Sequence, residues 1–119
     1  MASRELPPSI QQQLIRLQQL QQTLNILVAE KQQLETELAE INNALEELNK
    51  VDDTTTIYKA VGSVLIQTTK NRLVSELSEK KELADTRLKV LERQESRTRA
   101  QLEELQRELQ RALGGQPPS

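Results

Sequence analysis

Residues 51–69 read VDDTTTIYKAVGSVLIQTT, and this short stretch decides the fold. It holds three consecutive threonines at 54–56, then Ile57 and Tyr58, then Val61, Val64, Leu65 and Ile66 around Gly62. Residues branched at Cβ and aromatic residues favour strands, where their stiff side chains fit a pleated surface. Asp52-Asp53 supplies turn chemistry at the start. Gly62 can take the positive φ of a tight turn. The stretch is therefore expected to be a β-hairpin with strands near 55–60 and 64–68. Such a hairpin is marginal in water alone. Its second strand puts Val64 and Ile66 on one face and Leu65 on the other, so apolar groups lie on both faces. No other segment of the chain reads as a strand, so further strands are expected from other chains. The plainer reading is a tip loop, which would not need this density of β-branched residues.

On either side the composition changes abruptly. Residues 9–50 are rich in Leu, Gln and Glu and contain neither Gly nor Pro; residues 70–113 are rich in Leu, Glu, Arg and Lys and also lack both. The first segment keeps a heptad, with Ile10, Leu17, Leu24, Lys31, Leu38 and Leu45 at a, and Gln13, Leu20, Leu27, Leu34, Ile41 and Leu48 at d. Ten of these twelve positions are apolar, which meets the coiled-coil criterion. Lys31 either fixes register at some cost in stability or snorkels outward along its stem. In the second segment a is Val74, Lys81, Leu88, Glu95, Leu102 and Leu109, and d is Leu77, Ala84, Leu91, Thr98, Leu105 and Ala112. Ser9 with Gln12 is expected to form a capping box. Thr69 is expected to cap the second helix, and Gly114 to stop it with Arg107 and Arg111 near its end. The equal lengths and short connection favour an antiparallel helical hairpin over a parallel dimer of separate coils. The expected architecture is mainly α: one domain over 1–119, with a coiled-coil helix at 9–50, the β-hairpin at 51–69, a second coiled-coil helix at 70–113 and a flexible tail at 114–119.

The inventory limits the chemistry. The chain has 119 residues, one aromatic (Tyr58), and no His, Cys, Trp or Phe. Its hydrophobic fraction is 35%, below the usual value of about 45–50% for compact domains, so a globular core is not expected. Zinc sites of the usual kind, cysteine nucleophiles, Ser-His-Asp triads and disulfides are excluded. Gly62 alone and Gly114-Gly115 near the end do not make a phosphate loop. No enzyme activity and no cofactor or metal are expected. A net charge of −2 with mixed signs gives no basic stripe for nucleic acid, and the charged runs read as solvated helix faces. No apolar h-region follows Met1 and no apolar run is long enough for a membrane span, so the default location is cytoplasmic.

Apolar residues outside the seams are unevenly distributed. In the first helix Leu14, Ile15, Ile26 and Val28 lie in the N-terminal half, and Leu113 lies near the other chain end. Such surface either buries against a further helix or marks an interaction site. A soft, non-specific grip on apolar segments of other proteins is the functional reading, with the glutamines nearby offering adaptable polar contacts.

These features together resemble the prefoldin beta-subunit family of archaea, also called GimC beta subunits. The resemblance rests on Pro-Pro-Ser-Ile-Gln-Gln at 7–12, on Ile57 to Ile66 followed by Thr68-Thr69-Lys70, and on Leu91-Glu92-Arg93-Gln94-Glu95. It implies one hairpin per chain that joins an intersubunit β-barrel. It implies a hexamer of two alpha and four beta subunits whose coiled-coil tips hold unfolded proteins without ATP and hand them to a group II chaperonin. The residues expected to contact clients are Ile10, Leu14, Ile15, Leu17, Leu109, Ala112 and Leu113. Those expected to serve assembly are Ile57, Tyr58, Val61, Gly62, Val64, Leu65 and Ile66. The rival expectation is a tethering coiled coil with one defined partner.

Overall fold

The computed structural model of the chain describes residues 6–114. In chain order it has helix α1 (Pro8–Asn49), strands β1 (Ile57–Val61) and β2 (Val64–Thr68), and helix α2 (Lys70–Ala112). The helix bounds fall within a residue of the expected ones. The tail beyond Gly114 lies outside the described residues.

The start of α1 differs from expectation. The Pro7 carbonyl accepts from the Ile10 and Gln11 amides at 2.9 and 3.1 Å, so Pro7 is the cap and Ser9 already lies inside the first turn. Pro8 takes the first helical position, where its fixed φ suits a helix and its missing N–H costs nothing. Two prolines thus replace the expected Ser9 capping box. At the other end α1 tightens, with Lys50 and Val51 amides donating three residues back to Glu47 and Leu48. Next, the Thr55 amide donates to the Asp52 carbonyl at 3.0 Å. This turn keeps Thr55 and Thr56 out of the sheet, and β1 begins at Ile57 instead of 55.

The cap on α2 is the expected one. The Thr69 hydroxyl accepts from the Arg72 amide at 3.2 Å, and the Thr69 carbonyl accepts the first helical bond, from Leu73. Gly114 ends α2 at φ 87°, the left-handed stop that a glycine adopts without strain.

The helices pack antiparallel in two compact units. The first comprises residues up to Lys31 and from Leu91 onward. Its core is Ile10, Leu20, Leu24, Leu102, Leu105 and Leu109, with Leu14, Leu17 and Val28 packed against it. Arg16 and Leu20 share a hollow with Gln101 to Glu108, while Lys31 reaches Glu95, so numbering rises on one helix as it falls on the other. The second unit spans Gln32 to Val90. There Leu38, Leu48 and Ala84 are buried. Ile41 and Ala44 share a hollow with Leu77 and Lys80, and Lys70 Nζ donates to the Val51 carbonyl at 2.9 Å. Both units therefore give the intrachain antiparallel arrangement, not a pair of separate parallel coils.

Every seam position named for α1 is buried or half-buried, as are all those of α2 except Ala112, which sits in its last turn. Even the polar seam residues obey. Thr98 is buried and its hydroxyl donates to the Gln94 carbonyl at 2.8 Å, so that hydroxyl is not stranded, whereas Gln13 Oε1 on the α1 seam is buried without a hydrogen-bond partner. Leu91 is the most enclosed side chain at 1% exposure, whereas Leu83, off the seam, is 69% exposed. Leu91→Ala is expected to lower unfolding free energy by about 2–5 kcal/mol in urea titrations, and Leu83→Ala to stay within about 0.5 kcal/mol of the parent. Equal losses for the two would contradict the seam assignment.

Candidate functional site

The hairpin is a two-stranded antiparallel sheet with Ile57 opposite Thr68, Tyr58 opposite Gln67, Lys59 opposite Ile66, Ala60 opposite Leu65 and Val61 opposite Val64. Gly62 and Ser63 form the two-residue turn. Gly62 stands at φ 60° while Ser63 keeps a negative φ, the pattern of a II′ turn with glycine first. Nothing lies within 4 Å of the position a Gly62 Cβ would take, so the glycine is required by backbone conformation and not by space.

Opposed residues share a face, and side chains alternate along each strand. One face therefore carries Ile57, Lys59, Val61, Val64, Ile66 and Thr68; the other carries Tyr58, Ala60, Leu65 and Gln67. Ile57, Lys59 and Thr68 are half-buried. Every other residue of the two strands is exposed, including Leu65 at 69%, Tyr58 at 59%, Val64 at 56% and Ile66 at 50%. All seven expected assembly residues thus lie on the two strands or their turn, and only Ile57 is partly covered. Among the described residues no third strand pairs with either edge. Apolar side chains and unpaired backbone groups are presented together, which is the chemistry of strand addition.

Ion pairs that the sequence reading did not find hold this platform. Lys59 Nζ lies 2.6 Å from Glu76 Oε1 on α2, fastening β1 to the helix. Lys70 Nζ also stands 3.5 Å from Asp53 Oδ1, closing the base of the connection. The only available signal was charge within a β-like stretch, and one sequence does not say which carboxylate Lys59 meets. The hydrogen bond from Lys59 holds the Glu76 carboxyl below its ordinary value of 4.5. In the first unit, Lys31 Nζ stands 2.7 Å from Glu95 Oε1, and Arg99 reaches Glu95 Oε2 at 2.9 Å. Hydrogen bonds from Lys31 and then Arg99 likewise hold Glu95 below 4.5.

The residues expected to contact clients divide by burial. Ile10 and Leu109 are buried in the seam core, and Leu14 and Leu17 are half-buried against it. Ile15, Ala112 and Leu113 are exposed. Ile26, at 60% exposure, and Leu6 extend the accessible apolar surface beyond that set. From Pro8 to Ala29 α1 carries a single charged residue, Arg16, whereas the stretch of α2 from Leu91 to Ala112 is rich in both Glu and Arg. The first half of α1 thus has a nearly uncharged outer face of glutamine, asparagine and isolated isoleucines. Among the described residues no acidic cluster could hold a metal ion, and no helix is long and apolar enough to cross a membrane.

Comparison with known proteins fits this arrangement of two long helices around one hairpin. The sequence profile described as Prefoldin subunit matches residues 11–116. The chain belongs to the prefoldin subunit family. It is 46% identical to the prefoldin subunit beta of Archaeoglobus fulgidus over 112 residues, covering 94% of this chain and 97% of that one. It is 43% identical to the prefoldin subunit beta of Methanothrix thermoacetophila, covering 98% and 97%. The crystal structure of the prefoldin beta subunit from Thermococcus strain KS-1 superposes with a TM-score of 0.83 at 40% identity, covering 98% of this chain and all of that one. The chain is thus a prefoldin-type chaperone subunit, and its family resemblance runs through both helices and the hairpin.

Carboxylates with depressed folded values stabilise the fold above their unfolded values and cease to as pH falls through the folded ones. The double variant Glu76→Gln/Glu95→Gln is therefore expected to be less stable than the parent at neutral pH, with a flatter decline in stability between about pH 5 and pH 3. Denaturant titrations across that range check this, and parallel pH profiles would contradict it.

Proposed function

We propose that this chain is a beta-type subunit of an ATP-independent holdase, a hexamer with two alpha-type subunits and four chains of this kind. The observation that carries the reading is the hairpin, with apolar side chains exposed on both faces and both strand edges unpaired among the described residues. Strands from neighbouring subunits would cover it and build a common β-barrel. The relatives support this by their names as prefoldin beta subunits.

Client binding is assigned to the first unit, where α1 begins and α2 ends. Ile15, Ala112 and Leu113 offer apolar surface that can be engaged without opening the seam, and Leu14 and Leu17 add their partly covered side chains. Ile10 and Leu109 support this surface from beneath. The uncharged face of α1 favours a chain whose own apolar groups and backbone amides lack partners, because glutamine amides both donate and accept. Each contact is weak, and several subunits acting on one client supply avidity. Nothing in this process needs a covalent step or a nucleotide; release requires only a competitor for the client, here a group II chaperonin. A cytoplasmic setting follows from that partnership.

The test has two stages. Native mass spectrometry after mixing with an alpha-type prefoldin subunit is expected to give a two-plus-four hexamer. A dimer indifferent to the added subunit would favour a tether with one defined partner. In the intact hexamer, the triple variant Leu14→Ser/Ile15→Ser/Leu113→Ser is expected to lose most suppression of client aggregation by light scattering. Full suppression by an intact variant hexamer would move client binding elsewhere.

A further inference from the structure

We propose that Lys31 and Glu95 select the partner of each helix, admitting the pairing of α1 with α2 and excluding the pairing of either helix with a copy of itself. Lys31 is the one charged residue among the α1 seam positions, and Glu95 is the one acidic residue among those of α2, where Lys81 is also at a. Lys31 and Glu95 meet at 2.7 Å with 27% and 13% of their side chains exposed, and Arg99 occupies the second oxygen of Glu95. A half-buried pair of this kind adds little net stability compared with two apolar residues, because desolvation opposes the attraction. Removing Glu95 alone takes from Lys31 its 2.7 Å partner in the seam, and removing Lys31 alone leaves Glu95 with Arg99. The pair therefore discriminates between partners more than it stabilises.

The position of the pair makes the discrimination general. The seam of α1 is nearly self-complementary, so two copies of α1 could form a coiled coil through the same leucines. The α1 seam runs from Ile10 to Leu48 and Ala29 lies midway, two residues from Lys31. The α2 seam runs from Val74 to Ala112 and Arg93 lies midway, two residues from Glu95. Because both charges sit near the centre, a fully overlapping pair of like helices brings like charges together in either orientation. In a parallel pair Lys31 faces Lys31 of the other copy. In an antiparallel pair the two lysines fall four residues apart in level, about 6 Å along the axis. Only α1 with α2 brings opposite charges together. Exclusion is stronger for α1, because Glu95 retains Arg99 on its own helix.

The chain has no cysteine, so a reporter can be placed freely. Leu27→Cys sits on the seam one turn before Lys31; the position is half-buried in the native packing and lies near its copy in any full-overlap pair of α1 helices. The full-length chain carrying this reporter is refolded under reducing conditions and treated with a short bismaleimide, and linked dimer is read on a denaturing gel. With Lys31→Leu/Glu95→Leu in the same chain, linked dimer is expected to rise at least about fivefold, the change that about 1 kcal/mol of lost discrimination produces. The exchange Lys31→Glu/Glu95→Lys is expected to return it to the parent level. No rise in the double-leucine chain, or no return in the charge-exchanged one, would overturn the proposal. Should the double-leucine chain lose its helical circular dichroism, Lys31→Leu alone decides: it removes the lysine repulsion between α1 copies while Glu95 keeps Arg99, so a rise in linked dimer supports the role and a parent-like level overturns it.

Discussion

A two-stranded sheet with leucine, isoleucine, valine and tyrosine facing water is marginal at best by itself. The rest of the molecule is arranged around that constraint. The chain supplies one hairpin and no strand to cover it among the described residues. It fixes the hairpin at its base, with Lys59 on Glu76 and Lys70 on Val51 and Asp53, and leaves the outer parts of both strands open. Holding the hairpin in one pose before partners arrive lowers the ordering cost of assembly.

The helices solve a different problem. With one aromatic in 119 residues, no compact core is available, and two continuous seams replace it. Each leucine removed from water contributes about 1.5–3 kcal/mol, so a row of them holds two long helices together without a third layer. The first half of α1 differs in charge from the stretch of α2 beside it, and that difference separates a solvated surface from one suited to apolar ligands.

Much of this was legible in the sequence because periodicity is a strong signal. All twelve seam positions of α1 could be read from a 3.5-residue repeat, and burial follows them one by one. Thr69, Gly62 and Gly114 were legible because each end or turn needs a specific backbone group or φ. Local competition was harder to read. Pro7 and Pro8 displaced Ser9 as the cap, since a proline already has the right φ and lacks the donor. The Asp52 turn captured the Thr55 amide and shortened β1. Partner choice at a distance was not legible. Lys31 could be read as a register element or a snorkelling side chain, and only the structure supplies Glu95 and Arg99. Nothing in the strand pattern around Lys59 names its partner, and only the structure places Glu76 beside it. Among the expected client residues, heptad position already warned that Ile10 and Leu109 belong to the seam, and their burial agrees.

The central claim is that the exposed hairpin is completed by strands from other subunits. Hydrogen exchange of the backbone amides from Ile57 to Thr68 tests it most directly, compared between the chain alone and the chain mixed with an alpha-type prefoldin subunit. The account predicts fast exchange at the outward-pointing amides of β1 and β2 in the free chain and strong protection once the complex forms. A complex that leaves those amides exchanging as fast as before would contradict it.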